Sequence, residues 1–250
     1  MLNENAHLAP WHFRPLLAND LIPLRSPCGD LRQYSDRLYP ILKRWLDVLI
    51  ATTLLILLAP LMLAIAIAIK LDSPGPVLYV QRRGGLHGRL FDFYKFRSMT
   101  NGHDHTQEHR QFAVAYINDQ PAESQRDEQG RSIYKPATNG HTVTRVGRWL
   151  RRTSFDELPQ LINVIKGDMS MVGPRPSIDY EVAMYTDRQR QRLAVLPGLT
   201  GWAQIHGRSC LKFDQIVGLD LEYIAHHSLR KDLQIILATI PVVLRAENAG

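Results

Sequence analysis

The sequence predicts an α+β fold, mainly helical, in which one proline-broken apolar helix, a small β-hairpin and several amphipathic interfacial helices surround a polar globular domain. Three observations predict it. Val48 to Ile69 is a run of 22 residues without a charge. The segments Val77–Gln81 (VLYVQ) and Leu90–Phe96 (LFDFYKF) are β-prone and flank a glycine-bearing stretch, RRGGLHGR. From Val143 onward, apolar residues recur at helical spacing.

Composition sets the outer limits. A chain of 250 residues with 45% apolar and 22% charged residues has ordinary globular values, which exclude a wholly disordered chain or a fibrous repeat. The mean hydropathy of −0.19 argues against several membrane spans but leaves room for one. Thirty Lys and Arg against 24 Asp and Glu give a net charge of +6, which calls for an anionic partner: nucleic acid, a lipid surface or a phosphorylated substrate. Cys28 and Cys210 lack the number for a disulfide framework and the spacing for a metal site, and are read as incidental thiols.

Residues 1–42 are polar and proline-bearing, with four acids balancing four arginines, and are expected to form a partly ordered extension. Residues 43–70 follow as the apolar helix. Its 22 uncharged residues reach about 33 Å if straight, near the thickness of a bilayer's hydrocarbon core. The run begins too far into the chain for a secretory signal, and no small-residue cleavage site follows it. Pro60 removes a helical hydrogen bond at its middle and bends it. Lys43 and Arg44 precede the run, and Lys70, Arg82 and Arg83 follow it, so positive flanks give no orientation. A bent, re-entrant helix that enters and leaves by one face satisfies both flanks. A plain span and a buried core helix are the alternatives.

The two β-prone runs form the hairpin. Residues 101–140 read as a long polar loop with one short helix. His103, His105 and His109 sit together there, but no ligand-rich segment partners them, so they are read as solvated surface. Helices are expected over Val143–Arg152, 156–166, 178–195 and 213–227. Leu233–Leu244 is too short to span and contains Pro241, which leaves core and interfacial placements open.

The chemistry concentrates in RRTSFDELPQLINVIKGDMSMVGPRP, Arg151 to Pro176. Ser154 and Glu157 have capping-box spacing, and Pro159 suits a first helical turn, so a helix start is expected near residue 155 or 156, with Gly167 ending it. A helix start with Arg151 and Arg152 just upstream is a place for a phosphate. Asp156 and Glu157 would stand beside it, an arrangement that calls for Mg²⁺ between carboxylate and phosphate, or for an aspartate nucleophile. The plainer alternative has Asp156 capping the helix and Glu157 paired with an arginine. Arg175 lies between two prolines in VGPRP, a stiff loop presenting one guanidinium. LPGLTGWAQIHGR, Leu196 to Arg208, offers Trp202, Gln204, His206 and Arg208 for base stacking and phosphate binding. FYKFRSM adds Lys95 and Arg97.

These blocks, in this order, together with LDLEYIAHHSLRKDL, resemble the bacterial sugar transferases of the monotopic polyprenyl-phosphate phosphoglycosyl transferase superfamily. The resemblance runs from about Lys43 to Leu244, apart from the 101–140 loop, which is longer than in the smallest relatives. It implies a cytosolic catalytic domain over 71–250 on a re-entrant membrane helix over 43–70, at the cytoplasmic face of the bacterial inner membrane. The implied reaction moves a sugar 1-phosphate from a UDP-sugar to a polyprenyl phosphate such as undecaprenyl phosphate, releasing UMP and initiating polysaccharide or glycoconjugate assembly. By this likeness Asp156 is the nucleophile, forms a phosphosugar-aspartyl intermediate and holds Mg²⁺, with Glu157 completing the catalytic pair. Lys95, Arg151, Arg175, Gln204 and Arg208 are the implied substrate-binding residues. Ala59 stands before Pro60 at the helix break, where the family commonly has serine; the missing hydroxyl would have helped satisfy the carbonyl that proline frees. Many larger relatives carry four spans ahead of this domain, whereas only the polar extension is seen here.

Two other classes are weighed against this. A catalytically dead scaffold is opposed by the intact Arg151, Asp156, Glu157 and Arg175. A nucleic-acid binder would need a basic face interleaved with aromatics or a known module, and neither is found, so no nucleic-acid partner is expected. The implied partners are the two substrates and inner-membrane lipids, with homo-oligomerisation left open.

Overall fold

The computed structural model describes residues 31–100, 106–118, 125–126, 132–134, 143–207 and 210–244. The readings of residues 1–30, Cys28, His103, His105 and Arg208 lie outside them.

Helix α1, Leu31–Asp72, runs continuously through Ala59 and Pro60. It starts before Lys43, and Tyr39, Lys43 and Arg44 find partners in the globular domain. Tyr39 Oη and Lys43 Nζ donate to Asp232 Oδ2 at 2.8 and 3.0 Å. Arg44 caps two carbonyls, Val164 O at 2.6 Å and Ile165 O at 2.8 Å. The far end is held too: Arg97 Nη2 donates to Ser73 O at 2.7 Å, and Asp72 Oδ2 accepts from Val146 N at 2.9 Å. Between Ala51, fully buried, and Ile65, 3% exposed, no residue of the helix is buried, and Ile56 and Leu57 are each 68% exposed. The middle of α1 therefore projects from a domain that grips both its ends.

Strand β1, Leu78–Gly84, pairs antiparallel with β2, Leu90–Phe96, in a register from Leu78↔Phe96 to Gly84↔Leu90. The hairpin is longer than expected: Arg82 and Arg83 of RRGGLHGR belong to β1, and Arg82 meets Asp92 across the ladder at 3.1 Å. The turn is a short 3₁₀ segment, Leu86–Gly88, in which His87 (φ 53°) and Gly88 (φ 77°) are left-handed.

Within 101–140 the described residues form α2, Thr106–Ile117, and a two-residue ladder between β3, Gln125–Arg126, and β4, Ser132–Ile133. Ile117 and Tyr116 dock on Tyr185 and Phe213. His109 Nδ1 lies 2.5 Å from Tyr180 Oη, and among the described residues no group of three His, Cys, Asp or Glu gathers that could hold a metal.

Helix α3, Arg145–Thr153, is followed by α4, Gln160–Lys166, and β5, Ser170–Val172. The helix expected over 178–195 is instead α5, Asp179–Ala183, then α6, Asp187–Arg190, and a 3₁₀ turn over Gln191–Ala194. Thr186 restarts the chain: its hydroxyl accepts from Gln189 N, and Gln189 Oε1 accepts from Thr186 N. Strand β6, Gly198–Thr200, pairs parallel with β5, and α7, Trp202–His206, leads to α8, Phe213–His226. The last helix is α9, Leu229–Leu244. Ile235 and Asp232 face the core, while Leu233, Leu237 and Ile240 are about half exposed on the other side. The main core joins Phe91 and Phe93 of β2, Leu161 and Val164 of α4, Met169 and Met171, Ile235 of α9 and Ala51 of α1.

Candidate active site

The helix start expected at Asp156 is not an α-helix terminus. Ser154 ends α3 in the left-handed region (φ 59°), and its side chain makes no capping hydrogen bond. Phe155–Glu157 form one 3₁₀ turn, and Pro159, without an N–H, stands at the N-cap of α4. The capping-box spacing fails because Glu157 is drawn elsewhere. Its carboxylate takes Arg175 Nη2 at 2.6 Å and Lys95 Nζ at 3.1 Å. Lys95 Nζ also reaches Asp156 Oδ2 at 3.3 Å. Asp156, Lys95, Glu157 and Arg175 thus alternate in sign along one line.

Three elements meet to build that line. Lys95 comes from β2, the carboxylates from the 3₁₀ turn and Arg175 from the loop after β5. Asn163, fully buried, ties α4 to the outer edge of β2 as a further strand would: its Nδ2 donates to Asp92 O at 2.6 Å and its Oδ1 accepts from Tyr94 N at 3.2 Å. Gly147 lets α3 close on the chain after β2, since a Cβ there would lie 2.0 Å from Ser98 O. The Pro174–Pro176 loop is held from behind. Arg83 Nη1 donates to Pro176 O at 2.7 Å, and Arg192, itself paired with buried Asp220 at 2.6 Å, reaches Arg175 O at 3.4 Å.

The pair titrates asymmetrically. Burial pushes the Asp156 carboxyl up, and the Glu157 charge adds to this, against the pull of Lys95. Burial would raise Glu157 as well, but Arg175 and Lys95 outweigh it and hold that carboxyl well below its ordinary range. Glu157 is the fixed anion that aligns two cations, and Asp156 carries the strained charge. Asp156 Oδ2 faces Lys95. A divalent cation caged by protein alone finds no ligand set among the described residues. A Mg²⁺ that keeps its waters and takes oxygens from substrate phosphates needs only this one carboxylate.

Of the residues expected here, the structure brings together Lys95, Asp156, Glu157 and Arg175. The Arg151 side chain makes no hydrogen bond or ion pair with a described residue. Gln204 lies on α7 with both amide atoms buried and unpartnered. Arg97 is structural: it is 4% exposed and closes the C-terminal end of α1. Trp202 packs on the core, with Lys231 Nζ 4.4 Å above its ring and the His206 ring 4.1 Å away, so its faces are taken. Sequence reasoning missed Asn163, Arg83 and the Arg192–Asp220 pair. A polar residue within the apolar run of LPQLINVI was the available signal for the first. Arg83 was hidden in a segment read as turn.

Paired carboxylates under two cations, in a chain with one helix long and apolar enough to cross a membrane, suit a membrane-associated enzyme acting on an anionic substrate. Comparison with known proteins agrees: the chain belongs to the bacterial sugar transferase family, whose profile matches residues 38–246. It is 42% identical over 215 residues to the UDP-glucose:undecaprenyl-phosphate glucose-1-phosphate transferase of Caulobacter vibrioides, covering 83% of this chain and 71% of that protein. It is 37% identical over 208 residues to the uncharacterized sugar transferase EpsL of Bacillus subtilis, covering 83% and 90%. Against the undecaprenyl-phosphate galactose phosphotransferase of Salmonella typhimurium the identity is 39% over 208 residues, 83% of this chain but only 41% of that protein.

Proposed function

We propose that this chain transfers a sugar 1-phosphate from a UDP-sugar to undecaprenyl phosphate and releases UMP, initiating assembly of a bacterial polysaccharide or glycoconjugate. The observation that carries the reading is the buried Asp156, held 3.3 Å from Lys95 and flanked by a Glu157 that Arg175 keeps ionised. An Asp156 carboxylate oxygen attacks the β-phosphorus. The bond from that phosphorus to the bridging oxygen breaks, UMP leaves with the electron pair, and a phosphosugar-aspartyl acyl phosphate, a mixed anhydride, forms. A phosphate oxygen of the acceptor then attacks the same phosphorus and returns the free carboxylate. Desolvation suits this role, because a carboxylate stripped of water is a stronger nucleophile. Lys95 and Arg175 meet the phosphate oxygens as charge builds. When bound, Mg²⁺ offsets the repulsion between Asp156 and the phosphates. A covalent relay also fits two substrates that arrive from different phases.

The same reading has α1 enter and leave by the cytoplasmic face. What supports it is the grip of one domain on both ends of the helix, through Arg44 and Arg97, while the stretch around Pro60 projects free. Cysteines placed at positions 30 and 90 should both label from the cytoplasmic side; labelling from opposite sides would restore a plain span. The named relatives act on glucose and galactose donors at closely similar identity, so identity does not choose the sugar. UMP release with Mg²⁺, undecaprenyl phosphate and a panel of UDP-sugars tests the activity, and no release with any donor would refute it.

A further inference from the structure

We propose that the groove between the second half of α1 and α3 seats the hydrocarbon chain of the polyprenyl phosphate acceptor, with the arginine row of α3 facing its phosphate. The inference rests on the acceptor proposed above. The groove is an open trough of about 440 Å³. Leu61, Ala64, Ile65 and Ala68 form one wall, a single stripe at helical spacing. The two alanines open the trough where larger side chains would fill it. Val146 and Trp149 form the other wall, with Arg145 at its edge.

The groove adjoins the catalytic turn. Trp149, 46% exposed, meets Phe155 edge-on with ring centres 5.4 Å apart, and Phe155 immediately precedes Asp156. Ile65 belongs to the same apolar cluster as Val146, Phe155 and Leu158, so the groove packs against the residues that flank the two carboxylates in the chain. Charge then selects the occupant. Arg145, Arg148 and Arg152 lie three and four positions apart on the face of Trp149. All three are exposed, and no side-chain hydrogen bond joins them to a described residue, although Arg145 and Arg148 lie close enough to Asp72 to add to the Val146 N–H in holding its carboxyl down. Carbon walls beside a projecting apolar helix, cations along one lip and the attacking carboxylate nearby match a long apolar chain that ends in phosphate.

The test uses the full-length enzyme in nanodiscs. Ala64→Leu and Ala68→Leu fill the groove; Trp149→Ala removes its exposed lip. Each should raise the KM for undecaprenyl phosphate about tenfold, the scale set by losing a few methylene contacts. Exchange of labelled UMP into UDP-sugar without acceptor should stay at the wild-type rate in Ala64→Leu and Ala68→Leu, which also reports that these two variants fold. A benzophenone-bearing polyprenyl phosphate should crosslink within residues 61–68 or 145–149, and undecaprenyl phosphate should compete while phosphatidylglycerol should not. Crosslinking elsewhere, equal competition by phosphatidylglycerol, or an unchanged acceptor KM in all three variants would overturn the assignment. Failure of the wild type to exchange UMP with any UDP-sugar would instead strike the proposed activity, and the crosslink would still report on the groove.

Discussion

Replacing Asn163 with leucine removes the clasp that holds β2, and with it Lys95, against the catalytic turn. The side chain is fully buried, so no water takes its place. Two backbone groups on the outer edge of β2, Asp92 C=O and Tyr94 N–H, lose their partners. A buried group left unpaired costs about 1–3 kcal/mol, and these two partly buried groups lose up to that much each. Burial of the leucine side chain offsets part of this, leaving about 2–4 kcal/mol of destabilisation. For a chain of this length, about 2–4 °C of Tm accompanies each kcal/mol, so Tm should fall by about 5–15 °C. The rate should suffer beyond the stability. Lys95 lies one residue from Tyr94, and a displacement on the order of 1 Å at a catalytic group costs about a hundredfold. Differential scanning fluorimetry in detergent, together with UMP release well below Tm, reads both effects. A Tm within about 1 °C of wild type with unaltered turnover would refute the clasp.

Lys95→Gln should shift the pH profile. The nucleophile must be ionised, so kcat/KM falls on the acid side as Asp156, already raised by burial, takes up its proton. Lys95 is the main influence drawing that carboxyl down, so its loss should move the acid limb to higher pH as well as slow the reaction; an unmoved limb would show that Lys95 does not supply the countercharge. Chelation by EDTA should abolish UMP release and added Mg²⁺ should restore it, whereas full activity in EDTA would remove the metal from the proposal.

The elements with the strongest local signals were legible in the sequence. The uncharged run of α1, the alternating β-formers of the hairpin and the apolar spacing of α8 announce themselves because each is dictated by residues close in the chain. The site was legible as a set of residue types: Lys95, Asp156, Glu157 and Arg175 were all singled out. Their arrangement was not. Ser154 and Glu157 satisfied the spacing of a capping box, yet Glu157 left the backbone for Arg175, 18 residues on, and an ion pair made by tertiary folding overrode the local signal. Arg97 was noted beside Lys95 without a role and closes the end of α1, since sequence does not distinguish an arginine facing phosphate from one facing carbonyls. The early start of α1 was equally hidden. Its Tyr39 and Lys43 are received by Asp232, near the other end of the chain.

The central claim is that Asp156 carries the sugar phosphate between the two substrates. Intact-protein mass spectrometry after mixing the enzyme with its UDP-sugar, without acceptor, tests it most directly. The wild-type chain should gain the mass of one sugar phosphate, mapped to Asp156 and discharged by undecaprenyl phosphate, while a folded Asp156→Asn variant should gain nothing. Turnover with no adduct in the wild type, or an adduct that persists in Asp156→Asn, would contradict the account.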